Sequence, residues 1–359
     1  MGDRRRRVRA TPHARRRPWR TKARNEASLA GGKAAEQGHA SPPASSGGLG
    51  DGAVPTGPGV GGLQCAVATK WAALVGQDIK PTSWGDCVDR LLSSGGEQAI
   101  YRGHRRFDWD LQSTLERALQ EHARRWDEPR HELMRSMAAD PDTERWALGV
   151  ETELTEHFRR NAVRFDVPDL PESWDVLGWW EVMQHHGAPT RLMDWTRSPF
   201  TALWFALDGH GDGDGDMALW VYDRDTAAVN HAQAEAKLRR TEGYELLDLR
   251  QRQDRLVRLA LEDGNPALIP VVPRQFPRAV AQQSILTVSP SIGVGRPAHW
   301  WIRQKLAARV RLREAWKPEM IAACQSMGLS RPGLYRDLDS LGAYISRCFA
   351  DRTEMADEL

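Results

Sequence analysis

Cysteine is scarce. The chain has Cys65, Cys87, Cys324 and Cys348, with no C-x-x-C pair and no Cys/His spacing of a zinc site. That argues against a disulfide framework and a structural metal. With an Arg-rich start and no apolar leader, it gives the expectation of reduced thiols and a cytoplasmic location. No apolar run approaches the ~20 residues a membrane-spanning helix needs, so no membrane partner is expected. The common phosphate and catalytic signatures are missing too: there is no G-x-x-x-x-G-K-[ST], no strand-borne G-x-G-x-x-G, no G-x-S-x-G and no H-E-x-x-H. Asp212, Asp214 and Asp216 are spaced like a calcium loop, but Met217 stands where the turn glycine is required and no closing Glu follows. Adjacent His185 and His186 cannot easily face one ion, so no metal is expected.

What is present is a globular balance: 40% hydrophobic and 27% charged residues, with 15 Trp. Charge is uneven. Residues 1–40 hold twelve Lys/Arg against three Asp/Glu, a balance of +9 in a chain of net charge +2, which leaves −7 for the rest. A Gly/Pro/Ser-rich stretch follows. Residues 1–70 therefore read as a disordered basic extension that makes at most weak salt-sensitive contact with nucleic acid, and Trp19 is its only base-stacking aromatic. Residues 71–359 read as the globular part.

In that part, "TSWGDCVDRLLSS" predicts a helix capped at Thr82 or Ser83 and stopped by Gly95-Gly96. "QAIYRGH" predicts a strand, and residues 112–164 predict helices. "SWDVLGWWEVMQHHG" predicts a helix capped by Ser173 and ended at Gly187. "TRLMDWT" predicts a strand, Ser198-Pro199 opens an apolar helix over Phe200, Leu203, Trp204 and Leu207, and "MALWVYD" predicts a buried strand. Residues 224–263 read as one charged helical region. "PALIPVVP", "QQSILTVS" and "AARVRLREAW" read as strands. Lys317-Pro318 opens a helix toward Gly328, and "SLGAYISRCF" predicts the last helix. The pattern is α+β: a single domain with a small mixed sheet flanked by helices.

A few polar residues stand in apolar surroundings. Arg102, in Tyr101-Arg102-Gly103 at a strand end, suits bidentate phosphate binding beside a glycine that admits a ligand; the alternative is a structural ion pair, with Asp194 as partner. Asp194 lies between Met193 and Trp195, and a carboxylate buried there must be paired or functional. Thr196 and Ser198 flank a helix start, which favours anions, although capping accounts for Ser198. His186 is a candidate base or ligand contact. Gln282 and Gln283 precede an apolar strand.

Together these residues resemble the FRG domain family. They supply the (Phe/Tyr)-Arg-Gly motif at Tyr101, Arg102 and Gly103. A second run matches at Gln184, His185, Gly187, Pro189, Thr190, Leu192, Asp194 and Thr196, with Ser198, Pro199, Ala202, Phe205 and Ala206 in the helix behind it. Arg278, Gln282 and Gln283 match a later Arg-x-x-x-Gln-Gln-Gly pattern, in which Ser284 replaces the Gly. The resemblance spans roughly residues 80–347, and it implies a bacterial or phage protein of the toxin or defence type. The order of motifs is also similar, more distantly, to Arg–Ser–Glu ADP-ribosyltransferases. That resemblance implies NAD as co-substrate and a protein or nucleic-acid acceptor. Tyr101, Arg102, Gly103 and Thr196 would then hold the dinucleotide, and Asp194, Gln282, Gln283 and His186 would lie at the reaction centre. Three readings stay open: an NAD-consuming enzyme, a non-catalytic nucleotide- or protein-binding module, and a nucleic-acid binder led by the basic tail.

Overall fold

The computed structural model describes residues 76–351, apart from 94–97, 137–139, 166, 168, 275 and 293–295. The basic extension, Trp71, the Gly95-Gly96 helix stop and Cys65 lie outside the described residues. All described residues fall within one compact unit.

The architecture is α+β. Strands β1 (Asp78–Ile79), β2 (Ala99–His104), β3 (Leu192–Thr196), β4 (Met217–Asp223), β5 (Ile269–Val271), β6 (Ser284–Val288) and β7 (Ala307–Leu312) form one seven-stranded sheet in the order β1-β7-β4-β2-β3-β6-β5. Only β1–β7 is parallel; the other neighbours are antiparallel. The expected strands all appear. The two-residue β1 has no sequence signal, because alternation cannot show over so short a run.

Successive side chains of a strand point to opposite faces. On β2, Ala99 and Tyr101 join Leu219, Val221, Ala308 and Val310 in a core covered by the helices Trp84–Ser93, Pro199–Leu207 and Lys317–Ser326. Ile100 joins Trp195, Trp220, Tyr222 and Ala307 on the other face, under Trp301. Beyond β3, Leu192, Leu286 and Val288 pack on Leu177, Trp180 and Met183 of the helix Val176–His185. A core made from both faces explains why β4 is buried almost throughout and shows no polar alternation.

Local chemistry sets the helix ends. Ser113 and Glu116 form a capping box at Thr114–Trp126. Ser83 caps Trp84–Ser93, accepting from the Asp86 amide at 3.1 Å. Ser198 caps Pro199–Leu207 as expected, with Pro199 in the first turn. The cap of Val176–His185 is Asp175, which accepts from the Gly178 amide at 2.7 Å, and not Ser173. A carboxylate at that position also reaches Arg250, an attraction a serine cannot offer. The charged region 224–263 breaks into the helices Arg224–Asn230, Ala232–Arg239 and Leu249–Glu262. Gly243 at φ 74° starts the turn before the last of them, and Asp248 restarts the helix with a capping box.

Candidate functional site

The sheet is weakest at its middle. Six residue pairs join β2 to β4, from Ala99–Asp223 to His104–Ala218, but Tyr101–Thr196 alone joins β2 to β3. The side chain of Arg102 occupies the split. Its Nη1 donates to the Asp194 carbonyl at 2.6 Å and its Nε to His104 Nε2 at 3.2 Å. No ion pair joins Arg102 to the Asp194 carboxylate among the described residues. Loss of water, opposed by the nearby Asp194 charge and reinforced by Arg117, lowers the Arg102 pKa to about 10. Burial, with the charges of Arg102 and Arg117, also holds His104 well below its ordinary 6.5.

Gly103 serves packing. A Cβ there would sit 1.9 Å from the Ala202 carbonyl oxygen and 2.7 Å from the Ala206 nitrogen. The close approach belongs to the helix Pro199–Leu207, whose Ala202 and Ala206 are the small residues facing it. Tyr101 is 2% exposed in the same core, and its hydroxyl is pushed up to about 12 by burial.

Asp194 departs from its expected setting. It is exposed, because the strand presents it beside the end of Val176–His185 and not under a helix. A hydrogen-bond chain aims it. The Leu192 amide donates to Thr190 Oγ1 at 3.3 Å, so the hydroxyl proton is directed to Gln184 Oε1 at 2.8 Å. The Gln184 Nε2 then donates to Asp194 Oδ1 at 2.7 Å. An ionised carboxylate can only accept, so the chain has one consistent orientation. Thr114 fixes Thr190 in turn, accepting from its amide at 3.0 Å. The spacing Gln184, Thr190, Asp194 is the spacing of this relay.

The carboxylate opens into a cleft of about 100 Å³, lined also by Glu181, His185, Phe276, Arg278, Gln282 and Ser284. Arg278 and Gln282 are four apart across the short helix Pro277–Ala281, which places both on one side. Among the described residues the Arg278 guanidinium makes no ion pair or hydrogen bond; it lies 4.5 Å from the Tyr335 ring centre, and its charge acts on the nearby Asp337. His185 stacks on Phe276 at 5.7 Å and 25°. Burial, then the charges of His186 and Arg278, lower the His185 pKa, so its ring is neutral at pH 7. Glu181 is raised by burial but is occupied by Arg250 Nη1 at 2.7 Å and the Arg274 amide at 3.1 Å.

The remaining candidate residues scatter. Thr196 Oγ1 donates to the Gln282 carbonyl at 2.7 Å and accepts from the Ser198 amide at 3.0 Å, so it closes the strand-to-helix turn. Gln282 lines the cleft, but its amide is tied to the Leu334 carbonyl at 3.2 Å. Gln283 is exposed with φ 49°, and its carbonyl accepts from the Arg197 amide. His186 caps the helix end; His185, not His186, lines the cleft. Asp212 and Asp216 face Lys317 and Arg311, and no metal-binding group of His, Cys, Asp and Glu occurs among the described residues. Sequence reasoning passed over Phe276 and gave no role to Arg278 or Gln184, although both stood in quoted motifs.

Residues 97–214 match the family model described as the FRG domain. The chain carries an FRG domain. The matched segment contains the Arg102 wedge, Gly103 and the Thr190–Gln184–Asp194 relay, while Phe276, Arg278 and Gln282 come from beyond it. The FRG domain thus supplies the carboxylate wall of the cleft, and later chain supplies the cationic and aromatic wall. No curated protein and no solved structure matched the chain. No helix among the described residues is long and apolar enough to cross a membrane.

Proposed function

We propose that the Asp194 cleft binds a nucleotide and that NAD is cleaved there at its nicotinamide–ribose bond. The observation that carries this reading is one aimed, exposed carboxylate lining the same cleft as a guanidinium that makes no ion pair among the described residues. Arg278 suits a phosphate, since a planar fork matches phosphate oxygens. The His185–Phe276 stack offers flat surface for a base. Asp194 lies where a carboxylate favours positive charge developing at the ribose C1′ as the C–N bond breaks and its electron pair leaves with nicotinamide. Water, or an acceptor nucleophile, then bonds to C1′, and Asp194 takes the released proton. Gln184 and Thr190 are positioning residues. The resemblance to ADP-ribosyltransferases supports the choice of NAD.

The test is nicotinamide release by the full chain, by Asp194→Asn and by Arg278→Ala. Asn keeps an acceptor for Gln184 and removes only the charge, so release falls by roughly two to three orders of magnitude. Arg278→Ala raises KM more than it lowers kcat. A folded parent that releases nothing refutes cleavage.

Gln282 favours a second reading, a module that binds nucleotide without turning it over. It stands where the transferase pattern has its acid, and its amide is held by Leu334, so it adds no charge to the cleft. In that case NAD raises the melting temperature of the parent but not of Arg278→Ala, and no nicotinamide appears.

A further inference from the structure

A second concavity adjoins the cleft and shares Pro273 with it. It measures about 640 Å³ and runs between the segment before Val176–His185 and the start of Leu249–Glu262. Of its two cations, Arg250 is opposed by Asp175 at 3.0 Å and Glu181 at 2.7 Å, while the Arg274 guanidinium donates to the Asp169 carbonyl at 2.9 Å. The carboxylates of the exposed acids Asp169, Glu172 and Asp248 make no ion pair among the described residues, and the three outnumber the single cation, Arg274, that no acid opposes there. Between them stand two exposed apolar side chains, Trp174 at 41% and Leu249 at 66%. No ring or guanidinium stacks on the Trp174 indole among the described residues.

Carboxylates without an ion pair, set around an open indole face, fit a cation. The indole attracts it through its ring quadrupole, the acids through charge, and Leu249 adds apolar contact to a neighbouring side chain. The same acids repel phosphate, so nucleic acid is disfavoured here. We infer that this groove docks an extended polypeptide segment in which Arg or Lys alternates with apolar residues. Pro273 continues the floor into the cleft, and Phe276 follows closely on the same stretch of chain. A docked segment is therefore guided toward the mouth beside Asp194.

The test is fluorescence anisotropy of a labelled peptide alternating Arg and Leu, added to the full chain without nucleotide. Saturable binding is expected, weakening as salt rises, and at least tenfold weaker in Glu172→Lys and in Trp174→Ala. Both positions are exposed, and unchanged thermal unfolding shows that each variant is folded. No saturable binding overturns the inference, as does binding within twofold of the parent in Glu172→Lys, which places the peptide elsewhere. A poly-Glu peptide or a single-stranded oligonucleotide whose binding depends on Trp174 also overturns it. Because nucleotide is absent, a chain that cleaves no NAD can still pass, and one that cleaves NAD can still fail.

Discussion

Arg102 and Asp194 are joined through the backbone: the guanidinium of one donates to the carbonyl oxygen of the other at 2.6 Å. The bond bridges a sheet that Tyr101–Thr196 alone holds together at that point. It frees the Asp194 carboxylate for Gln184 and the cleft. Replacing Arg102 by Met strips the Asp194 carbonyl of its donor, and a loss of about 1–3 kcal/mol is expected in urea unfolding. Lys recovers only part, because a single ammonium cannot reproduce the fork that reaches both Asp194 and His104. Equal stability of Arg102→Met and the parent would show the wedge to be dispensable.

Gly103→Ala places a methyl group against a helix backbone, and the helix must move. A loss of about 3 kcal/mol or more is expected, since overpacking against main chain cannot relax by rotamer change. Gly149→Ala is the control. It lies within Pro141–Ala162, and a Cβ there meets nothing within 4 Å. Helix propensity alone then raises stability by about 1 kcal/mol. Both are read from the denaturation midpoint at unchanged m.

Gln184→Glu keeps the shape of the relay and sets a second carboxylate beside Asp194. Like charges at that distance raise the pKa of the pair. The acidic limb of the pH–activity profile should move to higher pH than in the parent. Gln184→Leu lowers turnover about tenfold without that displacement. A role limited to folding would move neither profile.

His104 makes stability depend on pH. Its folded pKa lies well below the 6.5 of an exposed imidazole because of burial and the charges of Arg102, Arg117 and Arg309. The unfolded chain therefore binds the extra proton first as pH falls. The stability is present above about pH 6.5 and is lost below it, down to the folded pKa, at up to about 1.4 kcal/mol per pH unit. His104→Gln should flatten the melting temperature between pH 7 and pH 5. An unchanged slope would assign the acid sensitivity to other groups.

Arg191 and Glu151 form a buried ion pair, with side chains 2% and 9% exposed. Arg191 Nε donates to Glu151 Oε1 at 2.6 Å, and the guanidinium lies over Trp180. Glu151→Ala leaves that charge unpaired in the core and should cost about 3–5 kcal/mol. The double variant Glu151→Leu/Arg191→Met should regain most of it, as a calorimetric comparison of the two would show.

Local patterns carried most of the secondary structure. Apolar runs gave the six longer strands, and Ser198-Pro199 and Gly187 marked helix ends by chemistry that acts within a turn. The Ser173 cap failed because Asp175 draws on Arg250, 75 residues away in sequence. The pair Arg191–Glu151 was equally invisible, since nothing local joins two residues forty positions apart.

The sequence by itself determined an α+β chain with an FRG motif set, and it pointed at Arg102 and Asp194. Motif residues, however, do not state which face they occupy. Tertiary structure alone decided that Gly103 receives a helix, that Thr196 closes a turn and that Asp194 faces solvent. It also brought Arg278, distant from Asp194 along the chain, to the same cleft. The physical reason is that strand pairing and helix packing are long-range. A side chain's neighbours depend on which strands lie beside it and which helix covers it, and a sequence pattern with period 2 or 3.6 records neither.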